Sequence, residues 1–269
     1  MNVAETPSAR ELPGLDEGDG VHRLARQYPR GHRIDTHAHR EAQLVFAAEG
    51  TMQVTTPRGR WLVPPDRAVW VPAHLPHSID VVAAIAMRTL YFDADWLELG
   101  ATGRDLNTEY VVRVSPLLRE AILALFDGRP APVRTSLLLR LCIHELERCE
   151  DSATFIPLPL EPRCRRAALM VLENPADVHN LDAIARTVGT SARTLSRLFM
   201  TETNLSFKSW CQRARITAAI KQLSMNRHVA VKQLAADFGY ASFSAFSHAF
   251  RQVTGTTPTA FSARGDGAD

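Results

Sequence analysis

Apolar positions in the second half of the chain fall into short helical stripes punctuated by glycine. Leu181, Ile184, Ala185 and Val188 recur at i, i+3, i+4 and i+7, one face of a helix. Gly189 follows, where a helix can end in a left-handed residue without a Cβ penalty. Ser191 is then placed to cap a second helix, Ala192 to Thr203, whose stripe is Leu195, Leu198 and Phe199. Two short helices joined by a glycine-containing turn describe a helix-turn-helix. The pattern returns about fifty residues on in Val231, Leu234, Ala235, Phe238, Gly239, Ser242, Phe246 and Phe250, with one residue inserted in the turn. One such copy is common packing. Two copies separated by a third helical stretch are hard to produce by accident. That stretch, Phe207 to Leu223, predicts a helix of about 17 residues, roughly 26 Å long. Phe207, Trp210, Cys211, Ala214 and Ala218 line one side of it. Ahead of the first copy, residues 163–173 read as a helix stopped by Asn174-Pro175, and Asn180 as the next cap.

The first half has a different texture. From Val21 to Phe92, runs such as QLVFAA, MQVTT, WLVP, AVWVP and MRTLYF are rich in β-branched and aromatic residues and are separated by Gly and Pro. Six to eight short strands without room for crossover helices predict an antiparallel barrel or sandwich. Two helices follow. Residues 115–127 put Leu118, Ala121, Ile122 and Leu125 on one face. Residues 135–149 put Leu138, Leu141, Cys142 and Glu145 on one face, with Leu137 at its edge. Ile156–Pro162, with three prolines, reads as a short stiff linker.

Charge divides the chain at that linker. Residues 163–264 hold fourteen Lys/Arg against five Asp/Glu, a net +9, while the remainder sums to −7 and returns the chain's overall +2. A basic half joined to an acidic half fits a phosphate-binding module attached to something else. At 269 residues, 45% apolar and 22% charged, the composition is that of a globular protein with room for two cores. No run approaches the apolar length of a membrane span, and the first twenty residues, polar and acidic, lack a signal-peptide core and predict disorder. Four cysteines without C-x-x-C spacing fit a reducing cytoplasm.

Residues 163–261 resemble the DNA-binding domain of the AraC/XylS family of bacterial transcription regulators. The matching words are LDAIARTVGTSARTLSRLF, Arg215-x3-Ala219 and QLAADFGYASFSAFSHAFRQVTGTTP. Phe261-Ser262 stands where that family usually has Tyr-Arg, which removes one expected phosphate contact. Residues 31–78 resemble a cupin barrel, of the kind fused to many such regulators as the sensing half. Gly31-x5-His37-x-His39-x3-Gln43-x6-Gly50 follows its first signature, with Gln43 for the usual Glu. Pro72-x4-His77 follows the end of the second, with His74 for its glycine. The resemblance implies an α+β chain of two domains: a cupin-like antiparallel β-barrel followed by helices, then an all-α domain with two helix-turn-helix motifs joined by a linker helix. The expected boundaries are 1–20 disordered, 21–100 barrel, 101–155 helical connector, 156–162 linker and 163–264 DNA-binding domain.

Candidate chemistry follows from both halves. With Leu195, Leu198 and Phe199 turned inward, Arg193, Thr194, Ser196, Arg197 and Met200 face outward. The resemblance puts Arg193, Ser196 and Arg197 where family members reach base edges, and arginine is the usual bidentate partner of guanine. In the second copy the outward candidates are Phe243, Ser244, Ser247 and His248, suited to a thymine methyl, to bases or to phosphates. In the barrel, His37 and His39 share a strand face by parity, Gln43 joins them if the strand runs unbulged, and His77 comes from a neighbouring strand. These four read as effector-binding, with a histidine cluster of purely structural use left open beside it. No cofactor is expected, and a divalent metal at His37/His39/His77 is the alternative use. No nucleophile–base constellation stands out, so no catalytic residue is named. The reading is a cytoplasmic, nucleoid-bound bacterial regulator whose partners are double-stranded DNA and a small-molecule effector. A homodimer, RNA polymerase for an activator, and no membrane complete the expected partners. The competing readings are a metal-dependent cupin enzyme with an appended DNA-binding module, and a DNA-binding architectural protein whose barrel only dimerises.

Overall fold

The computed structural model describes residues 20–99, 105–128, 131–148, 155–177, 180–226, 229–254 and 257–263. Of residues 1–20, where disorder is expected, 1–19 lie outside them. Eight strands come first: β1 (Val21–Tyr28), β2 (Arg33–His37), β3 (Ala42–Phe46), β4 (Thr51–Thr56), β5 (Gly59–Val63), β6 (Arg67–Val71), β7 (His77–Ala83) and β8 (Ile85–Phe92). Helix α1 (Ala94–Leu99), strand β9 (Tyr110–Arg113), α2 (Pro116–Phe126), α3 (Pro132–Arg148) and β10 (Phe155–Pro157) follow. The remainder is helical: α4 (Pro162–Glu173), α5 (Leu181–Thr187), α6 (Ala192–Thr203), α7 (Phe207–Met225), α8 (Val231–Asp237), α9 (Phe243–Thr254) and α10 (Pro258–Ala263). The chain divides into two compact units, one of residues 1–56 with 61–152, the other of 57–60 with 153–269.

In the first unit, one sheet runs β1-β8-β3-β6-β9 and in the other β5, β4, β7 and β2 are successive neighbours. The registered pairs are antiparallel. Every residue of β3 and β6 is buried, so both faces of that sheet are covered. Ala42, Leu44, Phe46, Ala68 and Trp70 share a core with Leu118, Ala121, Ile122 and Leu125 of α2 and Leu139, Cys142, Ile143 and Leu146 of α3. Alternation along a strand then turns Gln43, Val45, Val69 and Val71 to the opposite face, toward the unit's interior. Ser115 caps α2 through Leu118 N (3.0 Å) and gives its own proton to Glu145 Oε2 (2.7 Å), which accounts for a buried carboxylate on α3.

Three expectations need correction here. The described residues of 101–155 hold the two expected helices, but also an unexpected strand: β9 sits at the edge of the first sheet, and α2 and α3 share that sheet's core. A four-residue strand flanked by polar turns carries too short a pattern to be read alone. Of the expected α3 face, Cys142 and Glu145 are buried and Leu138 and Leu141 half-buried, but Leu139, Ile143 and Leu146 are buried as well, and Leu137 is 64% exposed. LLLRLC is apolar almost all round, so the sheet rather than the periodicity selects the face. Ile156–Pro162 is not a free linker. Ile156 and Leu158 join the core of the second unit, and Trp210 Nε1 donates to Pro157 O at 2.7 Å.

In the second unit, Cys164, Ala167, Ala168 and Val171 of α4 pack with Ile184, Leu195, Phe199, Phe207, Trp210 and Ala214. The linker helix α7 reaches Met225 and buries Ile216, Thr217, Ala219, Ile220 and Leu223 as well as Phe207, Trp210, Cys211 and Ala214 of the expected side, while Ala218 is half-buried. It packs on α4, α6 and α9, so it holds both copies of the motif, not one.

Candidate functional site

The two helix-turn-helix copies close in the same way at the backbone. After α5, Gly189 adopts φ 74°, its N–H reaches Arg186 O (3.1 Å), and Thr190 N reaches Ala185 O (2.9 Å). After α8, Gly239 adopts φ 71°, its N–H reaches Ala236 O (2.9 Å), and Tyr240 N reaches Ala235 O (3.0 Å). Both are the paired 5→2 and 6→1 bonds of a Schellman stop, which needs the left-handed residue that glycine supplies. Ser191 then caps α6 through Thr194 N (3.1 Å), and Ser242 caps the second reading helix through Ala245 N (3.1 Å). Leu195 and Phe199 in α6, and Phe246 and Phe250 in α9, are fully buried and fix the outward faces.

On α6 those faces present Arg193 and Arg197, both exposed, and neither guanidinium has a hydrogen-bond or ion-pair partner among the described residues. Met200 is 49% exposed beside them. Thr194 is half-buried, with its hydroxyl held by Ser191 Oγ at 2.9 Å. Ser196 is half-buried. On α9, Phe243, Ser244 and His248 are exposed and Ser247 is half-buried.

Between the copies lies a groove of about 740 Å³ that the sequence reading did not anticipate. Ser196 of α6 and His248 of α9 stand on its two sides, and Lys208, Gln212 and Arg215 of α7 lie along its lining. Those three recur at i, i+4 and i+7, a polar stripe on a helix that is otherwise largely buried. Arg215 is already engaged: it donates to Pro175 O (3.2 Å) and Asp177 O (3.1 Å), and its guanidinium lies 5.9 Å from the Tyr240 ring centre. It ties the loop after α4 to the second copy. The side chains of Lys208 and Gln212 make no hydrogen bond among the described residues.

In the first unit the four expected effector residues do come together, though not by strand parity. β2 ends at His37 and β3 begins at Ala42 in the other sheet, so His39 lies in the connection and Gln43 across the interior. His37 stands directly opposite His77 in the β2–β7 ladder, with ring centroids 4.3 Å apart. His39 is 5.1 Å from His77 and 5.9 Å from His37 by the same measure. Its Nε2 lies 3.1 Å from Gln43 Oε1. Gln43 Nε2 donates to Thr89 Oγ1 (2.9 Å), which passes its own proton to Leu44 O (2.9 Å). Tyr91 packs edge-on against His39, and burial pushes its hydroxyl above the usual tyrosine range. His37 is half-buried and the other three are buried. Burial pushes the His77 imidazole down to about 3 and lowers His39 too, despite the opposing hydrogen bond to Gln43. Both rings are therefore neutral around pH 7.

A β-unit with a polar, histidine-lined interior followed by a duplicated helix-turn-helix defines a DNA-binding protein that carries its own ligand-binding domain. The description "AraC-like ligand binding domain" matches residues 19–141, and "Helix-turn-helix domain" matches residues 184–264. The HTH-type transcriptional regulator NimR of Escherichia coli K12 is 30% identical over 231 residues, 85% of this chain and 82% of that protein. The HTH-type transcriptional regulator RipA of Corynebacterium glutamicum is 37% identical over 105 residues, 39% of this chain and 31% of that protein. The crystal structure of ToxT from Vibrio cholerae O395 aligns with 93% of this chain and 99% of its own, at 10% identity and a TM-score of 0.40. The chain belongs to the AraC family of transcriptional regulators. No helix among the described residues is long and apolar enough to cross a membrane.

Proposed function

We propose that α6 and α9 enter successive major-groove segments of one DNA duplex, with Arg193 and Arg197 reading base edges. The observation that carries this is the pair of unpartnered guanidinium groups on the outward face of a capped, rigidly packed helix. Ser196 adds a hydroxyl to the same edge, and Thr194, committed to Ser191, helps fix the helix start. Phe243, Ser244, Ser247 and His248 give α9 a contact surface without a permanent cation, suited to apolar and backbone contacts. Lys208 and Gln212 lie between them, where the intervening phosphate strand would cross, and their charge and donors suit it.

The His37, His39, Gln43 and His77 cluster is the proposed effector site of the first unit, and the chain acts as a regulator rather than an enzyme. Its relatives NimR and RipA are named transcriptional regulators, which supports this reading. A bacterial cytoplasmic setting and RNA polymerase, for an activator, complete the reading. A second copy is a further partner, and exposed Leu117, Val133 and Leu137 on α2 and α3 offer it apolar surface.

Arg197→Ala should cost about 1–3 kcal/mol on the specific site and relax preference at one base pair, leaving random duplex nearly unchanged. Anisotropy titration against both duplexes checks it. Equal weakening on both would make Arg197 a phosphate contact and overturn the base-reading assignment.

A further inference from the structure

Three parts of the second unit that lie far apart in the chain meet at Arg215. The core that α4 shares with the first copy takes Phe207, Trp210, Cys211 and Ala214 of α7, and Arg215 follows directly. Its Nε and Nη2 donate to two carbonyls of one loop, Pro175 O at 3.2 Å and Asp177 O at 3.1 Å. That loop closes α4, which is bound to the first copy in two ways. Ala168 and Val171 lie in the shared core, and Arg166 Nη2 donates to Thr187 O at the end of α5 (2.9 Å). The same Arg215 guanidinium lies 5.9 Å from the Tyr240 ring centre, within cation–π reach. Tyr240 belongs to the turn of the second copy, and its ring packs edge-on against the fully buried Phe246 of α9, 5.2 Å between centroids. The loop itself approaches that turn: Ala176 O stands 3.6 Å from where a Cβ on Gly239 would lie. One side chain therefore ties the first copy's supporting helix, the linker helix and the second copy's turn together.

We propose that Arg215 is the positioning residue that sets the angle between α6 and α9, and through it the spacing of the two DNA segments that one chain accepts. The inference rests on reading α6 and α9 as entering two segments of one duplex. Both helices pack on α7, and helix packing alone leaves a scatter of about 15–20° in crossing angle. One base-pair step turns a DNA segment by roughly 35° and carries it about 3.4 Å along the axis. A swing of the first size covers about half a step, enough to blur the choice between neighbouring spacings. Directional hydrogen bonds from a cation to two fixed carbonyls, together with a ring held by Phe246, restrict that swing. The chemistry needs arginine. Its planar fork serves two carbonyls and a ring face at once, whereas lysine offers a single point of charge.

The test is anisotropy titration of full-length protein against the selected site, with and without one base pair inserted between its two segments. A duplex carrying the α6 segment alone is the control. The parent should lose at least about tenfold in affinity on the insertion, as for a mismatched pair. In Arg215→Ala that penalty should shrink to less than about threefold, while the single-segment duplex is bound within about twofold of the parent. Arg215→Lys, which keeps the charge but not the fork, should behave like Arg215→Ala. Tyr240→Leu, which removes the ring but keeps an apolar contact for Phe246, should lower the penalty in the same direction. A parental penalty retained in both Arg215→Ala and Tyr240→Leu would overturn the proposal. Loss of single-segment binding in Arg215→Ala would also overturn it, by making Arg215 a folding residue. So would a salt slope reduced by about 1 in that variant, the mark of a lost phosphate contact. A parent indifferent to the insertion would sink the two-segment reading itself, and the proposal with it.

Discussion

His74 holds its backbone at φ 62°, in the left-handed region, at the position where the cupin signature has glycine. Its side chain is exposed, so the residue matters through its backbone, which donates from His74 N to His39 O at 2.8 Å and so braces the connection that carries a site histidine. Histidine is one of the few non-glycine residues found in this region at all, whereas β-branched residues are genuine outliers there. His74→Val should lower stability by about 1–2 kcal/mol. His74→Gly should change it by less than about 1 kcal/mol, because relief of the Cβ contact is offset by a freer unfolded chain. Urea unfolding of the intact chain checks the pair, and a Val variant as stable as the parent would contradict it. That His37, His39, Gln43 and His77 meet was legible at this scale. The construction of the site was not. Parity within one strand was the wrong reason: the strand breaks after His37, and the fourth group arrives from the other sheet. A chain break between two polar residues leaves no trace in hydrophobic pattern.

At the scale of elements, the helices of the second half were read almost residue for residue because each carries its own signals. Ser191, Asn180, Gly189 and Gly239 sit at the caps and stops their chemistry specifies. β10 went unread because three prolines in seven residues look like a spacer, and nothing local reveals that Ile156 and Leu158 are buried at 3% and 5% exposure. The segment also supports its neighbours. Arg213 Nη1 donates to Phe155 O (3.1 Å), Glu161 caps α4 through Cys164 N (2.7 Å), and Glu202 Oε2 accepts from Leu160 N and Glu161 N. A fragment cut before Arg163 strands the Trp210 N–H and removes the α4 cap, costing about 1–3 and about 1 kcal/mol respectively. Compared with a fragment beginning at Ala153, it should melt at least about 10 °C lower. Thermal unfolding by circular dichroism distinguishes them. Coincident melting would restore Ile156–Pro162 as a dispensable linker.

For the whole molecule, the charge split, the duplicated motif and the strand-rich first half were enough to give two parts with different work. What the sequence did not show is how α7 joins the two reading helices: its buried surface is on more than one side, and a polar stripe, Lys208, Gln212 and Arg215, lines the groove between them. A single rigid helix packed on α6 and α9 fixes their spacing, so one chain should require its two DNA segments on the same face of the duplex, about one helical turn apart. The most direct test inserts five base pairs between the two segments of the selected site, which turns one of them to the opposite face. Anisotropy titration at fixed salt should then show affinity falling at least about 100-fold, toward the non-specific level. A ten-base-pair insertion, which restores the face but doubles the spacing, should not recover it. Unchanged affinity after the five-base-pair insertion would mean that only one helix reads sequence, and would contradict the account.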